Sequence, residues 1–78
     1  MMLNNYTVED VVRETEHAIE QHGEFASPHE AMSVLDEEVF ELRMEIYKKR
    51  DQRNISDMYT EAIQIAAVAL KFANSLRG

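Results

Sequence analysis

Side chains that offer oxygen ligands recur at helical spacing in two separate segments of this 78-residue chain. In the first segment, Glu38 and Glu41 are three residues apart. The second segment places two acids and an amide at the same kind of spacing: Asp57, Glu61 and Gln64. Residues three or four positions apart lie on the same side of an α-helix. Each segment therefore predicts a row of oxygen-bearing side chains along one edge of a helix.

Both rows lie at the margin of an apolar face. Glu38 is flanked on the helical wheel by Leu35 and Leu42, and the row around Glu61 shares its side with Ile65. A buried carboxylate without a partner is unfavourable, and two together repel each other unless a cation or a proton intervenes. A hard divalent cation such as Mg²⁺ prefers oxygen ligands and keeps water molecules that a phosphate substrate can replace. The alternative is that these acids form a solvated helix face, paired with Lys48 or Lys49.

Three helices are predicted to position these residues. Thr7 and Asp10 have the spacing of an N-cap and an N3 residue, and Gly23 suits the end of this first helix. Ser27, Pro28 and Glu30 form a capping box with proline in the first helical position.

The second helix is expected to run to Lys49 or Arg50, because basic residues suit a helix C-terminus. The third helix begins after a polar stretch at 51–54, with Asn54 or Ser56 as its cap, and extends to about Leu76. The fold class is all-α, in one domain spanning 1–78.

Two of the helices carry more apolar surface than one partner helix can cover. The second helix has one apolar stripe and, on another side, a second patch formed by Phe40, Met44 and Tyr47. Residues 62–70 of the third helix contain one polar residue in nine, so this helix needs burial on most sides. We therefore expect the three-helix chain to complete a four-helix-bundle-type core by homo-oligomerisation, as a homodimer or homotetramer. The alternative is a monomer with an alanine-lined surface.

Composition excludes several classes of function. The formal net charge of −7 disfavours binding to nucleic acid phosphates or to an anionic membrane. The absence of cysteine rules out disulfides and cysteine-ligated zinc. The sequence has no apolar stretch long enough to span a bilayer and no signal-peptide pattern, so a cytoplasmic location is expected.

Other catalytic motifs are missing or incomplete. Glu14 and His17 match the Glu-x-x-His pattern of di-iron bundles, but they are predicted to point away from the valine stripe of the first helix, toward solvent. Glycine-rich phosphate loops and the G-x-S-x-G and H-E-x-x-H patterns do not occur. His29 in the first turn of the second helix can meet a phosphate, although a surface role is the simpler interpretation.

Taken together, Glu38-Val-Phe-Glu41 followed by Glu61-Ala-Ile-Gln64 resembles the E-x-x-E … E-x-x-D signature of the MazG-like all-α nucleoside triphosphate pyrophosphohydrolases. The flanking segments 27–30, 37–42 and 61–70 are also similar to small phage and prophage members, and the resemblance covers about residues 20–76. It implies oligomeric four-helix bundles that use Mg²⁺, with Mn²⁺ as a substitute. The reaction is cleavage of the α–β phosphoanhydride of a nucleoside triphosphate into a monophosphate and pyrophosphate.

Carried over by position, the resemblance makes Glu38, Glu41 and Glu61 metal ligands, and Glu37 or Glu41 orients the attacking water. Lys48, with Lys49 or Arg50, is a candidate for contacting phosphate, as is His29.

The sequence departs from the family signature at Gln64, where the family has aspartate. One unit of ligand charge is lost there, and Asp57, one turn before Glu61, is expected to compensate. Two other classes of function remain open: a helical binding module that does not hydrolyse nucleotides, and an acidic protein that imitates nucleic acid.

Overall fold

The computed structural model describes residues 2–78, and all its regular elements are helical. Three α-helices follow one another: α1 (Asn5–His22), α2 (Pro28–Ile46) and α3 (Ile55–Leu76). A short 3₁₀ turn, Arg50–Gln52, precedes α3. The prediction of an all-α chain with three helices is confirmed.

The N-cap of the first helix lies three residues earlier than predicted. Asn4, and not Thr7, is the N-cap, because its side-chain oxygen accepts a hydrogen bond from the backbone N–H of Tyr6. At the other end, Gly23 has φ of 68°, and its N–H donates to the carbonyl of Ile19. A positive φ is readily adopted by glycine, so the prediction that Gly23 ends this helix is confirmed.

The second helix begins as predicted but ends earlier. The Ser27 hydroxyl accepts a hydrogen bond from the N–H of Glu30 at 3.1 Å. The carboxylate of Glu30 in turn accepts from the N–H of Ala26, one residue before the cap. The expected end at Lys49 or Arg50 is wrong, because Arg53 folds back and its Nε donates to the free carbonyl of Ile46 at 2.8 Å.

The choice between two caps for the third helix is settled in favour of Asn54. Its side-chain oxygen accepts a hydrogen bond from the N–H of Asp57 at 3.1 Å. Ser56 lies inside the first turn.

The third helix is the centre of the arrangement. It packs against both α1 and α2, whereas within residues 2–78 no Cα atom of α1 lies within 8 Å of a Cα atom of α2. The most buried side chains are small or polar: Thr15, Ala31, Ala67 and Lys71. A gap therefore remains between α1 and α2, with α3 as its floor.

A single chain leaves much of its apolar surface uncovered. Phe40 is 57% exposed, Met44 53% and Tyr47 77%. The accessible surface is 6281 Å², against about 4,900 Å² for a compact monomer of this mass. The radius of gyration is 13.6 Å, against about 11.5 Å for a compact domain of this length. Even the central α3 leaves Leu70 40% exposed.

None of the helices within residues 2–78 combines the length and the apolar character needed to cross a membrane.

Candidate functional site

Three of the predicted acidic residues meet between α2 and α3. Glu38, Glu41 and Glu61 each contribute one carboxylate oxygen to a group of atoms that all lie within 4.8 Å of one another. Glu38 and Glu41 are one turn apart on α2, and Glu61 is on the facing side of α3. At this spacing the three oxygens can coordinate one cation. We call this group the carboxylate cluster.

Two oxygens of the carboxylate cluster are buried without a partner. The Oε2 atoms of Glu38 and Glu61 are inaccessible to water and have no hydrogen-bond partner among the described residues. Burial, followed by the negative charges of Glu41, Glu61 and Glu37, raises the pKa of the Glu38 carboxyl to about 7. The pKa of Glu61 is raised as well, first by burial and then by the neighbouring carboxyl group of Glu41. The cluster is therefore strained when fully ionised, and a proton or a cation relieves it.

This arrangement predicts that the metal-free protein loses stability as the pH rises. Between the ordinary Glu pKa of 4.5 and the value of about 7 in the folded state, the folded chain retains a proton on Glu38 that the unfolded chain has lost. The free energy of unfolding therefore falls from pH 5 to pH 7.5. Urea denaturation of chelator-treated protein at several pH values measures this fall.

The Glu38→Gln variant should show a smaller fall, since glutamine is neutral at every pH in this range. Glu20→Gln, an exposed change on α1, serves as the matched control and should keep the wild-type slope. A stability that rises from pH 5 to pH 7.5 contradicts the prediction.

Gln64 lies next to a residue that the sequence analysis had set aside. Its Nε2 donates a hydrogen bond to the Glu14 carboxylate at 3.0 Å, which joins α3 to α1. The prediction that Glu14 points to solvent is therefore wrong: Glu14 is half-buried. The reason is that part of the α1 valine stripe is not buried, with Val8 and Val12 each more than 40% exposed. His17 is exposed but also lines the gap between the helices.

The other predicted site residues lie outside the carboxylate cluster. Asp57 is exposed in the first turn of α3, although its charge contributes to the raised pKa of Glu61. Glu37 is exposed on α2 and contributes in the same way to Glu38. Lys48 forms an ion pair with Glu45 at 2.6 Å. His29 is exposed at the start of α2.

The gap between α1 and α2 forms a cavity of about 280 Å³ beside the cluster. Glu38 belongs both to the carboxylate cluster and to the cavity wall, and Gln64 also lines the cavity. Sequence reasoning missed the other polar groups of this cavity, notably Lys71 on α3 and Glu14 on α1. We call this space the interhelical cavity.

Comparison of the chain with protein-family models, with curated proteins and with solved structures finds no match.

Proposed function

We propose that this chain is a Mg²⁺-dependent nucleoside triphosphate pyrophosphohydrolase of the MazG-like kind, with Mn²⁺ as a substitute ion. The observation that carries the proposal is the pair of buried oxygens, one on Glu38 and one on Glu61, that have no partner among the described residues. Burying such atoms is unfavourable unless a ligand compensates. A hard cation is the ligand that three converging carboxylates suit best.

In this proposal, Glu38, Glu41 and Glu61 hold the cation from two helices. The bound ion supplies charge neutralisation for the phosphates and lowers the pKa of a coordinated water. Glu37 or Glu41 then accepts a proton from the water that attacks at the α–β phosphoanhydride. The bond to the departing pyrophosphate breaks, leaving a nucleoside monophosphate.

Gln64 fits as a neutral member of the same site. Its Nε2 is engaged by Glu14, and this hydrogen bond orients the amide while its Oε1 remains available as a ligand oxygen. The negative charge that aspartate supplies in the family signature is absent at position 64, but Glu14 brings a carboxylate to that position from α1. Glu14 is therefore a better candidate than the exposed Asp57 to compensate for the lost charge.

The proposed active form is a homodimer built on the apolar face of α2. The surface patch of Phe40, Met44 and Tyr47 is exposed in the single chain. The chain exposes about 1,400 Å² more than a compact monomer of its mass. Pairing of this face supplies the fourth helix that a bundle core needs.

Pyrophosphate release from a panel of canonical and damaged ribo- and deoxyribonucleoside triphosphates tests the catalytic proposal. We expect release of pyrophosphate from at least one of them in Mg²⁺, and none after chelation. Absence of pyrophosphate from every nucleotide in both Mg²⁺ and Mn²⁺ contradicts it.

A second candidate function is nucleotide binding without hydrolysis. Gln64 favours it, because the missing charge weakens the cation site at the position where the family signature has aspartate. The discriminating observation is a rise in melting temperature with Mg²⁺ and a triphosphate, in the absence of pyrophosphate release. This outcome would favour a regulatory or binding module over an enzyme.

A further inference from the structure

A buried lysine lies in the wall of the interhelical cavity with no counterion. Lys71 on α3 is 5% exposed. Among residues 2–78 it forms neither an ion pair nor a hydrogen bond; instead its Nζ lies 4.1 Å from the centroid of the Phe25 ring. Lysine is seldom buried to this extent unless it is paired. Its Nζ nevertheless remains accessible from the cavity, where it contacts the Phe25 ring and can still donate a hydrogen bond to a ligand.

The composition of the cavity wall restricts what can occupy it. The carboxylates of Glu14, Glu30 and Glu38 face the same space as Lys71, so the acids outnumber the ammonium. Such a wall disfavours a free anion as the partner of Lys71. It suits an uncharged molecule with an oxygen that accepts from Lys71 and N–H groups that donate to the carboxylates.

The apolar part of the wall points to a flat ligand of modest size. The ring of Phe25 and the side chains of Val34 and Val68 line the space. The volume of about 280 Å³ lies just below the usual range for small-molecule sites, roughly 300–1,000 Å³. A planar heterocycle with carbonyl and N–H groups fits this combination.

The cavity and the carboxylate cluster are arranged along one side of α3. Glu61, Gln64 and Lys71 follow one another at helical spacing. Glu61 and Lys71 are ten residues apart, which corresponds to a rise of about 15 Å between their Cα atoms. Glu38 belongs to both the carboxylate cluster and the cavity wall, so the space that Lys71 lines adjoins the cluster. One nucleotide can thus have its phosphates at the cluster and its base near Lys71.

We propose that the interhelical cavity is a base-binding subsite in which Lys71 donates a hydrogen bond to a carbonyl oxygen of the nucleobase. This inference rests on the proposed nucleotide substrate and adds a specificity to it. Uracil and guanine carry a carbonyl, whereas adenine has none. The subsite therefore selects carbonyl-bearing bases over adenine.

Free nucleosides test the subsite without phosphates, metal or hydrolysis. We expect uridine and guanosine to bind at least about tenfold more tightly than adenosine, the effect of one hydrogen bond from a charged donor. Binding is followed by nuclear magnetic resonance titration of chelator-treated wild-type protein. The ¹³Cε resonance of Lys71 should shift with uridine and stay in place with adenosine, which is a readout that needs no variant.

Two variants assign the preference to Lys71. Lys71→Met keeps an unbranched side chain of similar length and should bind uridine and adenosine equally, whereas Lys71→Arg keeps a donor and should retain the preference. Lys49→Met removes an exposed lysine outside the cavity and is the matched control. Circular dichroism confirms that each variant is helical.

The results separate this inference from the proposed reaction. Equal binding of uridine and adenosine by the wild type, or an unchanged preference in Lys71→Met, overturns the subsite even if triphosphates are hydrolysed. A preference that disappears in Lys71→Met supports the subsite even if no pyrophosphate is released from any nucleotide.

Discussion

Replacing Glu38 by glutamine is expected to abolish Mg²⁺-dependent pyrophosphate release while the fold remains at least as stable as that of the wild type. Glu38 has the buried oxygen with no partner and a pKa raised to about 7. Glutamine has nearly the same shape but no charge, so the cation loses a ligand. Loss of a residue that only supports a metal ligand already costs 10- to 100-fold in metal affinity or activity. We therefore expect the loss of a ligand itself to exceed about 100-fold.

We expect this variant to lose activity without losing stability. In the metal-free wild type, an ionised Glu38 repels Glu41 and Glu61, and the neutral side chain removes that repulsion. At pH 7.5 without metal, the melting temperature of Glu38→Gln should equal or exceed that of the wild type. Mg²⁺ should raise the melting temperature of the wild type and have little effect on the variant.

Glu20→Gln again provides the matched control, with wild-type activity and wild-type response to Mg²⁺ expected. A Glu38→Gln protein that releases pyrophosphate at the wild-type rate would remove the carboxylate cluster from the mechanism. Glu61→Gln gives an independent check, because Glu61 contributes the other buried oxygen, from α3.

Introducing charge on the apolar face of α2 is expected to dissociate the proposed homodimer. The double variant Phe40→Glu with Met44→Glu places two carboxylates on the surface that we propose pairs with a second copy. Burying them against a like surface costs far more than the apolar contacts contribute. Light scattering coupled to size-exclusion chromatography should give the mass of a dimer for the wild type and of a monomer for the variant.

Gln21→Glu adds a negative charge at an exposed polar position on α1 and should leave the mass unchanged. A second measurement does not depend on the variant being folded. The melting temperature of a wild-type dimer rises with protein concentration, because association and folding are linked. A wild-type chain that is monomeric at all concentrations, with a constant melting temperature, contradicts the proposed interface.

Local signals made much of the fold predictable. The capping box at Ser27 and the glycine at position 23 act within a few residues, and both lie at observed helix ends. The end of α2 was not predictable in this way. It depends on Arg53, seven residues later in the chain, whose guanidinium satisfies the carbonyl of Ile46. The basic residues at 48–50 are compatible both with a helix that continues to Arg50 and with a helix that ends at Ile46, where Arg53 binds the last carbonyl.

The candidate site was also predictable only in part. The approach of Glu38 and Glu41 to Glu61 followed from their position at the margins of apolar faces that had to pack together. Lys71 was missed because lysine is ordinarily assigned to the surface. Nothing in its spacing from Glu61 distinguishes a buried ammonium from an exposed one. The contact of Glu14 with Gln64 was not predictable from the valine stripe of α1, because part of that stripe is exposed and does not mark the buried side.

Because α1 and α2 are separated, the binding of a ligand between them and the docking of these helices on α3 are thermodynamically coupled. Within residues 2–78 these two helices are joined laterally only through α3. A molecule that fills the space between them contacts both helices and links them directly. By thermodynamic reciprocity, whatever tightens the docking of α1 on α3 also tightens retention of that molecule. A substitution on the far side of α1 can thus change affinity without contacting the ligand.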